Sequence, residues 1–307
     1  VTSATISSTT QRAYLVFYAM LQPPPTSPLL PYTTRFRAYV ALLNAVVERT
    51  AKLMAQWQSV GFAHGVMNTD NMSILGLTLD YGPFGFMEAY EPGLICNHSD
   101  PHGRYAFDQQ PQIGLWNLTC LAQALTPLMD IDDAKSCLQP YQALYTQHYH
   151  SLMVSKLGFD EVSDTALELT GTLLEMMQQS RVDYTRLFRN LGDVQSENDQ
   201  QDFSLRDSFI DRQLFDGWLK DYRAALSSEA KPDAERRQMM MNINPKYVLR
   251  NYMAQTAIEK AQRDKDYSEI DRLMTVLQAP FDEHPEHAHY ADSPPDWAAG
   301  LSVSCSS

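Results

Sequence analysis

Cysteine is scarce in this 307-residue chain, which holds only Cys96, Cys120, Cys137 and Cys305. None forms a C-x-x-C pair and none stands at zinc-finger spacing from a histidine, so neither a zinc ribbon nor a disulfide scaffold is encoded. Basic residues are outnumbered as well: 24 Lys and Arg face 37 Asp and Glu, a net charge of −13. So acidic a chain is repelled by nucleic acid and by anionic membranes, which argues against either as its main partner. Long apolar runs are missing, and none reaches the roughly 20 residues needed to cross a bilayer. Internal repeats are missing too. What remains is 44% hydrophobic and 20% charged, the composition of a globular protein with an ample core.

The first 35 residues differ from the rest. Residues 1–10 are rich in Ser and Thr, residues 13–21 are apolar, and Pro23, Pro24, Pro25, Pro28 and Pro31 follow. No small-x-small cleavage site follows the apolar stretch, so the segment reads as a linker rather than a signal peptide. Beyond it, Phe36, Val40, Leu43, Val47, Leu53, Met54 and Trp57 recur at helical spacing and predict a helix over 36–58, ended by Gly61. Residues 62–86 are short apolar pieces broken by Asn, Asp and Gly, the pattern of short strands and tight turns. Residues 87–112 read as a long functional loop. From 115 onward the signal is helical, with helices predicted over 115–128, 133–157, 164–179, 182–191, 206–226, 234–242, 245–263 and 267–277. Pro245 is expected in the first turn of its helix, Arg236 and Arg237 on a solvated face, and the His-rich tail from 280 as a mobile segment. The fold class is α+β, mainly α.

The densest polar cluster is His64-Gly65-Val66-Met67-Asn68-Thr69-Asp70-Asn71, followed by Leu77-Thr78-Leu79-Asp80-Tyr81-Gly82. Ser73 to Leu79 is β-prone, and a hairpin there brings Asn71 and Asp80 together. An Asn and an Asp are hard oxygen ligands of the kind magnesium takes beside phosphate oxygens. Asp70 is then placed to accept a proton from an attacking hydroxyl. Spacing alone leaves open the simpler reading, that Asp, Asn and Gly only make turns here.

The order of elements is the outline of a protein-kinase C-lobe. A kinase catalytic loop reads H-R-D-x-x-x-x-N and is followed by D-F-G. Aligned on His64 and Asn71, the Asn matches and Asp80-Tyr81-Gly82 stands for D-F-G. Val66 occupies the place of the catalytic Asp and takes no proton, which makes this a pseudokinase by kinase rules, with Asp70 as the replacement base.

The blocks HGVMNTDNMSILGLTLDYGPFGF, ICNHSD, GRY, QP, LWNL, NPKYVLRNYMAQTAIEKA, PPDW and VSCSS resemble the selenoprotein O family of the YdiU type, from about Phe36 to Ser307. The resemblance implies a kinase-like fold that transfers AMP from ATP to Ser, Thr or Tyr hydroxyls of proteins. It implies Asp70 as base and Asn71 and Asp80 as ligands of Mg²⁺ or Mn²⁺, and it leaves the choice between ATP and UTP open. It also implies that Cys305 pairs with Cys96 in a redox latch. Location follows the host: cytoplasmic in a bacterium, mitochondrial in a eukaryote. In the family a nucleotide-binding N-lobe precedes this region. Residues 1–35 hold no match to it, and no Lys occurs before Lys52, itself inside the first predicted helix. The expected domains are therefore an unmatched segment, 1–35, and a kinase-like C-lobe, 36–307, with a helical extension and a cysteine-bearing tail. By itself such a chain is expected to be weakly active or inactive. Two alternatives are a kinase-like phosphotransferase, told apart by which phosphate is transferred, and an inactive binding lobe.

Overall fold

A computed structural model describes residues 32–197, 203–229, 231–301 and 303. Its frame is helical. Helix α1 (Tyr32–Val60) is long and ends at Gly61, which adopts a left-handed φ of 69°. Two short strands, β1 (Phe62–Ala63) and β2 (Gly85–Phe86), pair antiparallel with Phe62 opposite Phe86 and Ala63 opposite Gly85. Helices α2 (Gln110–Leu125), α3 (Ile131–Leu138) and α4 (Tyr141–Lys156) then pack on α1. Leu43, Val47, Met54 and Trp57 of α1 are buried against Leu118, Ala122, Cys137 and Tyr141.

A second core lies beyond α4. It joins α5 (Asp164–Ser180), α6 (Tyr184–Asn190) and α8 (Arg212–Ser228), with the short α7 (Phe203–Arg206) between the last two. Each of these longer helices begins on a side-chain cap. Ser163 accepts from the amide of Ala166, Asp183 from Arg186, and Asp211 from Gln213 and Leu214; such caps each contribute about 1 kcal/mol. Phe215, Trp218 and Tyr222 stack along the inner face of α8. Helix α9 (Asp233–Ile243) closes this core with Met240. Helices α10 (Asn251–Asp264) and α11 (Ser268–Gln278) form a third cluster with Tyr247 and Tyr290.

The mainly helical α+β class holds, with a small two-stranded sheet. Four local expectations are corrected. The stretch 133–157 is two helices, because Pro140 has no N–H to continue the first and instead opens α4. Residues 245–250 are not helical. The amides of Lys246 and Tyr247 donate to the carbonyl of Pro280, so α10 starts only at Asn251. Arg236 is 2% exposed, not solvated: its guanidinium donates to the Val194 carbonyl and to Asp233. The His-rich tail is ordered over Pro285–Ala291 as a 3₁₀ turn, and Tyr290 there is buried with its hydroxyl on Glu269.

Candidate active site

The site is built on the chain between β1 and β2. His64 follows β1 and is fully buried. Its Nε2 lies 2.6 Å from the carbonyl oxygen of Leu79, which only accepts, so Nε2 carries the hydrogen. Its Nδ1 accepts from the amide of Val66 at 3.3 Å. The ring is thus a neutral tautomer, and burial pushes its pKa below the usual histidine value despite the opposing pull of the Leu79 carbonyl and the Asp80 charge. His64 therefore positions; it joins the start of the loop to the residue before Asp80. Trp57 adds a second tie: its ring lies against His64 at 5.2 Å, and its Nε1 donates to Thr78 Oγ1 at 2.9 Å.

Gly65 has a φ of 81°, and a Cβ there would meet Cys96 Sγ at 2.8 Å and the Pro83 carbonyl at 2.9 Å. Only glycine lets these three segments come so close. From there the chain turns through a 3₁₀ turn, Thr69–Asn71, and one isolated antiparallel bridge joins Met72 to Thr78. That bridge lies one residue from Asn71 and two from Asp80, so the expected hairpin forms and its two arms carry the candidate ligands.

The Asn71 amide nitrogen donates to the Val66 carbonyl at 3.0 Å, which fixes the orientation of the group and leaves its oxygen on the other side. Asp70 and Asp80 are exposed. Asp80 has a φ of 57°, a left-handed backbone that a non-glycine residue adopts at a cost of roughly 1–2 kcal/mol. The bonds to Thr78 and Leu79 hold it there. Asp80 is thus an exposed carboxylate on a left-handed backbone, and Asn71 is a half-buried amide with its nitrogen engaged. Among the described residues, no cluster of three or more His, Cys, Asp or Glu side chains is placed to hold a metal by itself. A two-ligand site open to phosphate oxygens is a different arrangement.

Several residues that fix this loop escape a reading of spacing. Gln110 is fully buried; its Oε1 accepts from the His64 amide at 2.8 Å and its Nε2 donates to the Phe62 carbonyl at 2.9 Å. Asn117 of α2 donates to the Met67 carbonyl at 2.9 Å. Tyr105 donates its hydroxyl to Asn68 Oδ1 at 2.6 Å. Tyr105 is in turn set by Asp100, whose carboxylate accepts the amides of Arg104 and Tyr105. The only sequence signal for these was that Asp100, Tyr105, Gln110 and Asn117 fall in the ICNHSD, GRY, QP and LWNL blocks.

The loop from 87 to 109 lies under the site. Cys96 Sγ approaches the Ala63 carbonyl at 3.5 Å, and Asn97 donates to the Gly65 carbonyl at 3.1 Å. Val303 pairs in parallel with Asn97, and the His98 amide donates to the Val303 carbonyl at 2.8 Å. Cys305, expected as the partner of Cys96, lies outside the described residues.

At the end of the same loop, Glu88 and Asp183 converge on one guanidinium. Arg250 is 2% exposed and donates to Glu88 and, at 2.8 and 3.1 Å, to both oxygens of Asp183. Desolvation raises the Glu88 pKa against the lowering pull of Arg250. This triad was not foreseen; nothing in the spacing of three residues so far apart in sequence signals it.

With this geometry in place, comparison with known proteins gives a consistent result. The family model described as "Protein adenylyltransferase SelO" matches residues 7–278, so the match begins inside the segment expected to be unmatched. The chain is 54% identical over 279 residues to "Protein nucleotidyltransferase YdiU" of Thioalkalivibrio sulfidiphilus, covering 89% of this chain and 56% of that protein. It is 55% identical over 269 residues to the protein of the same name in Myxococcus xanthus, covering 88% and 55%. The Pectobacterium atrosepticum protein of that name is 53% identical over 271 residues, covering 88% and 56%. The chain belongs to the SelO family, and it spans about half the length of the curated relatives it matches.

Proposed function

We propose that this chain serves protein nucleotidylation, moving AMP from ATP to Ser, Thr or Tyr hydroxyls of protein substrates, on a kinase-like lobe. The observation that carries the reading is the Asn71–Asp80 pair. Asn71 has its amide nitrogen engaged on Val66, and Asp80 is exposed on a strained backbone pinned through Leu79 to His64. The names of the relatives support the reaction class.

The donor set fits a hard cation, because an amide oxygen and a carboxylate are both oxygen ligands with room left for phosphate. Asn71 and Asp80 would hold Mg²⁺ or Mn²⁺, which supplies positive charge against the phosphate oxygens. Asp70 takes the proton as the substrate hydroxyl oxygen attacks the α-phosphorus. The new O–P bond forms as the bond to the β-phosphate oxygen breaks, and pyrophosphate leaves. The fixed backbone supplies positioning, the main contribution a protein makes to such a transfer. Incubation of a version that carries the family's N-lobe with protein substrate and ATP labelled at the α- or the γ-phosphate tests it; the 307-residue chain by itself is expected to transfer little or none. Label from the α-position on protein is expected; label from the γ-position alone would mean a phosphotransferase and sink the reading. The same assay with UTP decides the nucleotide.

We propose further that Cys96 and Cys305 form a redox latch, two thiols giving one disulfide as oxidised glutathione is reduced. Support comes from Val303, two residues before Cys305, which runs beside Asn97, the residue after Cys96. Peptide mapping after mild oxidation is expected to recover a Cys96–Cys305 link, and a Cys120–Cys137 link instead would defeat it.

A further inference from the structure

Lys156, the last residue of α4, is 3% exposed. Its ammonium lies 4.4 Å from the ring centre of Phe188 and 5.6 Å from that of Tyr184. Among the described residues, its ammonium forms no hydrogen bond or ion pair. Lysine is almost never fully buried unless paired, because an unpaired ion loses its hydration with no replacement. Two ring faces return only part of that loss. Burial alone, with no acidic neighbour to oppose it, brings the Lys156 pKa down to about 7.

Lys156 also lines a cavity of about 480 Å³ between α1, α4 and the end of α9. That volume falls in the ordinary range of small-molecule sites, roughly 300–1,000 Å³. Leu53, Trp57, Phe62, Leu152 and Ile243 form its apolar walls, and Gln56 and Tyr81 stand exposed at its rim. No Asp or Glu is among the described residues that line it. A largely apolar cavity, open at one side, whose one charged wall residue is a lysine with only ring faces beside its ammonium is complementary to a molecule with an apolar body and a single negative head.

We propose that this cavity binds an apolar carboxylate, with its head on the Lys156 ammonium and its body against Leu53, Trp57, Leu152 and Ile243. Thr78 and Tyr81 share the cavity wall and flank Asp80, so the occupant lies against the arm that carries that carboxylate. The binding does not depend on the transferase reading.

Calorimetric titration with octanoate, and with 1-octanol as its neutral counterpart, tests the proposal. Octanoate is expected to bind one site in the wild type. Lys156→Met should weaken octanoate about 10–100-fold, the worth of one charge-assisted hydrogen bond, and leave 1-octanol unchanged. Leu152→Trp, which fills the chamber, should remove both ligands while the circular dichroism of the helices is retained. Equal octanoate affinity in wild type and Lys156→Met would overturn the proposal, as would octanoate binding that survives Leu152→Trp or no saturable binding at all.

Discussion

Two groups of carboxylates meet at the ends of the same stretch of chain, and they are treated in opposite ways. Glu88 and Asp183 are fastened to Arg250, and Asp183 also caps α6. Asp70 and Asp80 are exposed, on a turn and on a left-handed residue. The first pair is held in place by a charge the protein supplies. The second is held in place by its backbone, through His64, Trp57 and Asn71, while the carboxylates face solvent. A carboxylate paired with a buried guanidinium fixes structure; an exposed carboxylate on a rigid backbone is available to a cation or a substrate proton.

That contrast is broken or sharpened by substitution. The largest effect is expected at the exposed pair. In a version that carries the family's N-lobe, Asp80→Ala should reduce nucleotidyl transfer to background, and Asp70→Ala should slow it about 10²–10⁴-fold, the usual scale for a general base. Both should unfold at nearly the wild-type temperature, and Asp70→Ala should keep its nucleotide affinity. Steady-state kinetics beside a thermal melt checks this; a variant that loses stability along with activity would put Asp70 or Asp80 in the structural group.

Arg250→Ala should do the reverse. It leaves Glu88 and Asp183 without their cation and should destabilise the fold by about 3 kcal/mol, the low end for a broken buried pair because Glu88 is partly solvated. Urea unfolding measures it, and a loss below about 1 kcal/mol would show that the triad is not what holds this loop.

A third effect is one of sign. Lys156 is protonated in both folded and unfolded chains below pH 7, so its full burial cost is present there. Between about 7 and the ordinary value of 10.5 the folded chain releases that proton and the unfolded chain keeps it, so the cost fades as pH rises. Lys156→Met should therefore be more stable than wild type by about 2–4 kcal/mol at pH 6, and the gain should shrink steadily through pH 9.5. A difference that does not change with pH would mean that the ammonium is solvated.

Much of the frame was legible because helical periodicity survives burial: the apolar positions of α1 fall where the spacing puts them, whereas the helix expected over 206–226 is broken at 207–211 into α7 and α8. The breaks were less so. Pro140 and Pro245 look alike in sequence, yet one opens a helix and the other precedes an irregular segment. The difference lies in the Pro280 carbonyl, 35 residues downstream of Pro245, which captures two amides. Asp70, Asn71 and Asp80 were legible because they share one short hairpin. Gln110 and Asn117 were not, since each meets its partner across 46 to 50 residues. Arg236 reads as solvated beside Arg237 because nothing local names the Val194 carbonyl it reaches.

Arg250 stands 162 residues after Glu88. On a ribosome adding about 5–20 residues per second, that separation is a wait of roughly 10–30 s. During that time the hairpin and its underlying loop have left the tunnel, while the cation that locks Glu88 has yet to be made. The locked arrangement is thus a late event in biogenesis, and the early chain is the form a cellular protease or chaperone meets. Ribosome-bound chains stalled just before residue 250 should be cut between residues 87 and 109, and chains stalled well past 278 should resist; equal resistance at both lengths would show that the loop settles without its arginine.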